Sequence, residues 1–147
     1  MAHLYGRKAK APAFMPVDGC GINIIDSIAL AANPTAGDVI NFKLPAGIQL
    51  GALKIRCSDL DANGTPTFVF GVGYRPADTG SSLAPSAAYF AAAGQTTAQA
   101  GGTLECSFEP ITFDEDVYVT LTIATAAATF AAGNIFMIAS GNAIGPK

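Results

Sequence analysis

The feature that most constrains the fold is a long run without charge, from Val117 to Ala139. A block of this length could cross a bilayer as a helix. Its first part, however, alternates, and β-branched side chains repeating with a period of two are typical of a half-buried strand. After Gly133 and Asn134 interrupt the run, Ile135 to Ala139 is continuously apolar, which predicts a second strand covered on both faces. The uncharged run is therefore predicted to form two strands, and no membrane partner is expected. The side chains predicted to face the core in the first of these strands are Val117, Val119, Leu121 and Ile123.

The same alternation predicts four more strands upstream. Ile22 to Leu30 is also strand-like, but its "IIDS" stretch breaks the alternation and predicts a β-bulge. Asn63-Gly64 lies between two alternating runs and predicts a β-hairpin. Pro85 to Ala93 is predicted to be a short helix that Gly94 ends. The predicted inward faces are Ile40, Phe42 and Leu44; Leu53, Ile55 and Cys57; Phe68, Phe70, Val72 and Tyr74; and Leu104, Cys106 and Phe108.

About eight short strands at regular spacing favour an all-β chain, an antiparallel β-sandwich of jelly-roll-like type with one short helix. The 147 residues are enough for one domain, predicted at residues 20–147. Residues 1–19 do not follow the strand pattern and are predicted to form an extended N-terminal arm. Such a basic segment with spaced apolar anchors suits docking on a partner, while a disordered leader and a nucleic-acid tail are the alternatives. The candidate partner-binding residues are Tyr5, Arg7, Lys8, Lys10, Phe14 and Met15.

Charge and cysteine content argue against several classes of function. Only 13% of the residues are charged, which is typical of a surface that packs against other proteins. The chain has no long basic stripe and no Trp, so we expect no nucleic-acid partner. Cys20, Cys57 and Cys106 are widely spaced and form no CxxC pair. They are interpreted as buried, reduced side chains of a protein made in a cytoplasm rather than as a metal site.

The segment "DLDANG" matches the opening of an EF-hand calcium loop. That loop requires a carboxylate at its twelfth position, where this chain has Phe70, and its flanks are predicted strands rather than helices. We therefore expect Asp59, Asp61 and Asn63 to make side-chain bonds to the backbone of a turn. A looser calcium site in a β-loop is the alternative.

No arrangement of residues points to catalysis. The single histidine, His3, lies in the arm, so a nucleophile–histidine pair would have to recruit it from there. Asp114, Glu115 and Asp116 are consecutive acids between strands, and such side chains mostly point apart into solvent rather than across a cleft. The sequence predicts no enzyme, no cofactor and no metal.

Three segments together resemble the capsid decoration, or cement, proteins of tailed bacteriophages. They are "GDVINFKLPAGIQLGALKIRCSDLD", "GTPTFVFGVGY" and "AGGTLECSFEPITFDEDVYVTLTIATAAATFAAGNIFMIAS". The resemblance implies a jelly-roll-like sandwich that is made in the bacterial host cytoplasm and ends on the outer surface of the virion capsid. There it would bind between major capsid protein subunits, as a homo-oligomer (dimer or trimer), and stabilise the expanded shell.

Two other functions are compatible with the sequence. One is a carbohydrate- or receptor-binding jelly-roll module of a phage tail or fibre, for which Tyr74, Tyr89 and Tyr118 are available. The absence of Trp counts against it. The other is a small hydrolase that uses Asp59, Asp61 or the acids at 114–116.

Overall fold

The computed structural model describes residues 1–9 and 21–145, which form ten strands and one short 3-10 helix, Thr97–Gln99. The strands are β1 (His3–Tyr5), β2 (Gly21–Leu30), β3 (Val39–Leu44), β4 (Ile48–Cys57), β5 (Val69–Pro76), β6 (Ser86–Gln95), β7 (Gly102–Glu105), β8 (Ile111–Phe113), β9 (Val117–Thr125) and β10 (Gly133–Ala143). Sheet 1 has the order β1-β3-β9-β5-β6, and sheet 2 has the order β2-β10-β4-β7 with β8 also paired to β4. The pairings between these strands are antiparallel except for the parallel pair β1–β3. The chain is thus the predicted all-β sandwich of jelly-roll-like type.

The core lies between the two sheets, where alternate side chains of each strand meet. On β9, at the centre of sheet 1, Val117 and Ile123 and the two apolar residues between them are at most 1% exposed. The inward faces predicted for β3, β4 and β5 are confirmed, with Tyr74 at the margin of the core. Burial of this apolar surface is the main favourable contribution to folding.

The strand β10 differs from its prediction. It is longer than Ile135 to Ala139, and its burial alternates: Ile135 and Met137 are buried, whereas Phe136 and Ile138 are only partly buried. The expectation of a strand covered on both faces is therefore wrong. Its continuous apolar sequence reflects a core face and a second, partly exposed apolar face.

The predicted bulge in β2 is also wrong. The pairing of β2 with β10 runs from Gly21 to Leu30 without a register shift. The break in the sequence pattern arises because Asp26 occupies a buried position while Ile25, on the outer face, is 48% exposed. A register shift does occur in sheet 2, between β4 and β10 at Ser140 and Gly141.

The predicted helix at Pro85 to Ala93 is instead the strand β6, which pairs irregularly with β5 at the edge of sheet 1. Helix propensity is a weak preference that tertiary packing overrides. Here Phe90 is inserted into the core, at 1% exposure. Gly73 of β5 also lets the chain approach closely, because a Cβ at Gly73 would overlap the carbonyl oxygen of Ser86.

Asn63-Gly64 does not form the predicted hairpin. The flanking strands lie in different sheets, β4 in sheet 2 and β5 in sheet 1, so the chain crosses the end of the sandwich between them. The turn-forming residues lie in this crossing segment. Within it, the carboxylate of Asp61 accepts hydrogen bonds from the amides of Thr67 and Phe68.

Candidate functional site

The first residues of the predicted arm are part of the sandwich. Residues His3–Tyr5 pair with β3 at the edge of sheet 1. The fully buried Asn41 holds them, since its Nδ2 donates to the carbonyl oxygen of Leu4 at 2.9 Å. The ring of Tyr5 packs edge-on against Tyr118, with 5.7 Å between the ring centroids. Tyr5 is therefore engaged within its own chain.

The next three residues connect the two sheets. The amide of Gly6 donates to the carbonyl of Asn41 in sheet 1 at 2.7 Å, while the amide of Arg7 donates to the carbonyl of Ser27 in sheet 2 at 2.9 Å. The amide of Lys8 donates to Oδ1 of Asp26 at 2.9 Å. Gly6, Arg7 and Lys8 make these bonds through their main-chain amides alone, and Arg7 and Lys8 are exposed residues.

The remaining candidate residues of the arm, Lys10, Phe14 and Met15, lie outside the described residues, as does Cys20. Docking of the arm on a partner stays a prediction, as does the division into an arm at 1–19 and a domain at 20–147.

The buried carboxylate of Asp61 joins two loops at one end of the sandwich. Its Oδ2 accepts hydrogen bonds from the amides of Thr67, Phe68 and Ala128 at 2.7, 3.1 and 3.0 Å, respectively. Its Oδ1 accepts from the amide of Thr129 at 2.9 Å. Burial alone would raise the pKa of Asp61, but these four main-chain donors hold that pKa well below its usual range.

The neighbours of Asp61 in "DLDANG" make the turn bonds that the sequence predicted. Oδ1 of Asp59 accepts from the amide of Asp61 at 3.1 Å, and Oδ1 of Asn63 accepts from the amide of Thr65 at 2.9 Å. Among residues 1–9 and 21–145, no three His, Cys, Asp or Glu side chains lie together in a way that could hold a metal ion.

Of the acids at 114–116, Asp114 and Glu115 both line an open groove beside Phe113, and Asp116 is not part of that lining. Asp116 accepts from the amide of Ala46 at 2.9 Å and forms an ion pair with Lys43 at 3.1 Å. Glu115 accepts a hydrogen bond from the hydroxyl of Ser81. These two acids hold neighbouring loops together, so they are less free in solvent than the sequence predicted.

The three tyrosines considered for carbohydrate binding do not converge on one surface. Tyr74 points inward and packs edge-on against Phe113 and Tyr89, at centroid distances of 5.2 and 5.5 Å. Tyr118 lies on the opposite face of sheet 1, where the guanidinium carbon of Arg75 is 4.6 Å from its ring centroid. The structure thus brings Tyr74 and Tyr89 together and leaves Tyr118 apart.

The described cysteines are free thiols. Burial raises the pKa of Cys57 to about 12 and that of Cys106 to about 11. Both are therefore protonated near neutral pH, which disfavours a role as nucleophile or metal ligand.

The outer face of sheet 2 carries a surface that the sequence prediction missed. We call Ile25, Phe136 and Ile138 the outer patch. Ile138 lies opposite Ile25 on β2, and Phe136 lies opposite Arg56 on β4. Phe136, Ile138 and Arg56 also line an open groove of about 450 Å³. The signal in the sequence was the uninterrupted apolar character of β10, which places large apolar side chains on both faces of one strand.

None of the helical structure in the described residues is long and apolar enough to cross a membrane.

No protein-family model matches the sequence, and no curated protein matches it. Two solved structures contain similar chains. One is a chain of "Capsid of Ralstonia phage GP4", with 25% identity and a TM-score of 0.76 over 99% of this chain and 100% of that one. The other is a chain of "Cyanophage Pam1 capsid asymmetric unit", with 26% identity and a TM-score of 0.68 over 92% of this chain and 95% of that one. This likeness supports a structural role in a phage virion.

Proposed function

We propose that the protein is a capsid decoration, or cement, protein that binds the outer surface of a phage head between major capsid subunits. The observation that carries the proposal is the match over almost the whole length of both chains to a component of a phage capsid structure. A match of this extent means that the similar capsid component is itself a small sandwich. The segments that resemble decoration proteins in sequence lie within the same region.

The physical basis of such a function is linkage. A protein that binds the expanded shell but not its dissociated subunits stabilises the shell, and each copy needs to contribute only modest binding free energy. Association of the protein with itself, as a dimer or trimer, would make attachment multivalent and raise its strength without new contacts per copy. The low charge of the chain suits close packing beside neighbours.

We also propose that the N-terminal arm contributes to shell binding. Because Arg7 and Lys8 use their main chain to join the two sheets, their exposed side chains are available to contact a neighbouring capsid or decoration subunit. Tyr5 positions this segment through its contact with Tyr118.

The test of the function is co-sedimentation of the purified protein with expanded capsids that lack it, compared with unexpanded precursor capsids. We expect saturable binding to the expanded shells only, together with a higher temperature of shell disruption. Binding to neither form, or a disruption temperature that does not change at full occupancy, would contradict the proposal.

The contribution of the arm needs point variants rather than a deletion, because removing residues 1–9 would also remove β1 and the bonds between the sheets. A double variant, Arg7→Ala with Lys8→Ala, keeps every main-chain bond. We expect it to retain the unfolding free energy of the wild type while binding expanded shells more weakly. Equal shell binding by the variant and the wild type would contradict the proposed contribution of the arm to shell binding.

A further inference from the structure

The outer face of sheet 2 has two cross-strand rows that differ in charge. In the first row, Ile25, Ile138 and Lys54 lie side by side, and Lys54 forms an ion pair of 2.6 Å with Glu105 on β7. Directly opposed side chains on a sheet are close enough to interact. The positive charge of this row is therefore neutralised within the chain.

The second row lacks this neutralisation. Phe136 lies opposite Arg56, and the residue opposite Arg56 on β7 is the uncharged Thr103. Within residues 1–9 and 21–145, the ion pairs are Lys43–Asp116 and Lys54–Glu105, so Arg56 has no carboxylate partner there. An exposed guanidinium thus stands beside the outer patch, at the edge of the groove that Phe136 and Ile138 also line.

This charge has the opposite sign to that of the whole protein, which carries 8 Lys and Arg against 11 Asp and Glu. A guanidinium offers paired N–H donors in a planar fork that matches a carboxylate. An apolar surface next to such a donor favours a partner with both apolar and acidic side chains, because the apolar contact excludes water from the ion pair.

We propose that the outer patch and Arg56 form the docking surface for an acidic, partly apolar segment of the major capsid subunit. The inference rests on the proposed function and specifies which face of the sandwich meets the shell. A carboxylate of the capsid segment pairs with Arg56, while its apolar side chains cover Ile25, Phe136 and Ile138. A second copy of this chain related by a two-fold axis through the patch fits less well, because that axis would bring two Arg56 side chains together.

The experiment compares three single variants in quantitative co-sedimentation with expanded empty shells made from the major capsid protein. Arg56→Gln removes the charge of the docking surface, and Ile138→Ser removes part of its apolar area. Gln49→Glu is the matched control, because Gln49 is exposed on the outer face of the same strand and this change alters net charge by the same amount as Arg56→Gln. Urea unfolding of each variant verifies that the sandwich remains folded.

We expect Arg56→Gln and Ile138→Ser each to raise the Kd for shells by about tenfold or more, with Gln49→Glu within about twofold of the wild type. Added salt should weaken wild-type binding more than that of Arg56→Gln. If the wild type binds and both patch variants bind equally well, this inference is wrong while the proposed function stands. If the wild type itself does not bind, the proposed function fails and the inference falls with it. If the patch variants abolish self-association and leave shell binding intact, the occupant is a second copy and the inference is overturned.

Discussion

Replacing Asn41 with Ala should destabilise the protein strongly, because this side chain fastens the N-terminal strand to sheet 1. Its Nδ2 donates to the carbonyls of Leu4 and Val39 at 2.9 and 3.1 Å, and its Oδ1 accepts from Nε of Arg75 at 2.8 Å. Each neutral bond contributes about 1 kcal/mol net, and the bond to the guanidinium contributes about 1.5–3 kcal/mol. Because the partly exposed Arg75 can bond to water instead, we take the lower value and expect a loss of about 3.5 kcal/mol in the free energy of unfolding.

Urea unfolding followed by circular dichroism measures this loss as a lower midpoint with an unchanged slope. The matched control is Asn142→Ala, since Asn142 is exposed on β10 and should change stability by less than about 0.5 kcal/mol. A loss below about 1 kcal/mol for Asn41→Ala would refute the view that this amide secures β1.

Two further substitutions test other parts of the fold. Asp61→Asn should lower the urea midpoint at pH 7. Because the pKa of Asp61 is depressed in the folded protein, its contribution is complete above the unfolded value of 3.8 and is lost as the pH falls below it. The variant should therefore lose less stability on acidification than the wild type, and an identical pH profile, with the exposed Asp78→Asn as control, would contradict this. Gly73→Ala should lower the free energy of unfolding by about 1–3 kcal/mol, because the added methyl group would overlap the carbonyl oxygen of Ser86. Gly51→Ala, where the same methyl meets open space, should be nearly neutral, and equal effects of the two changes in thermal unfolding would count against the close approach of β6 to β5.

The sequence predicted best the strands whose two faces differ in polarity. On β9, buried Val119 and Leu121 alternate with the polar Thr122 and the partly exposed Tyr118, so periodicity alone identified the inward face. Periodicity predicted the type of element poorly where the composition of a segment is uniform. In β6, a stretch rich in Ala fits a helix by propensity, and only pairing with β5 and burial of Phe90 make it a strand.

Sites that depend on contacts between distant parts of the chain were beyond prediction from the sequence. The turn chemistry around Asp61 was expected, but its bonds to Ala128 and Thr129 join a loop more than sixty residues away. The role of Asn41 likewise depends on Leu4 and Arg75, which no local pattern connects. The outer patch arises because β10 lies between β2 and β4, an order that the sequence does not reveal.

A cryo-electron microscopy reconstruction of the mature phage head, compared with heads lacking this protein, tests the central proposal most directly. We expect additional density with the dimensions of the two-sheet sandwich on the outside of the shell, at the boundaries between major capsid subunits and with sheet 2 facing the shell. Identical reconstructions of the two heads, with the protein found instead only in the tail or inside the shell, would contradict it.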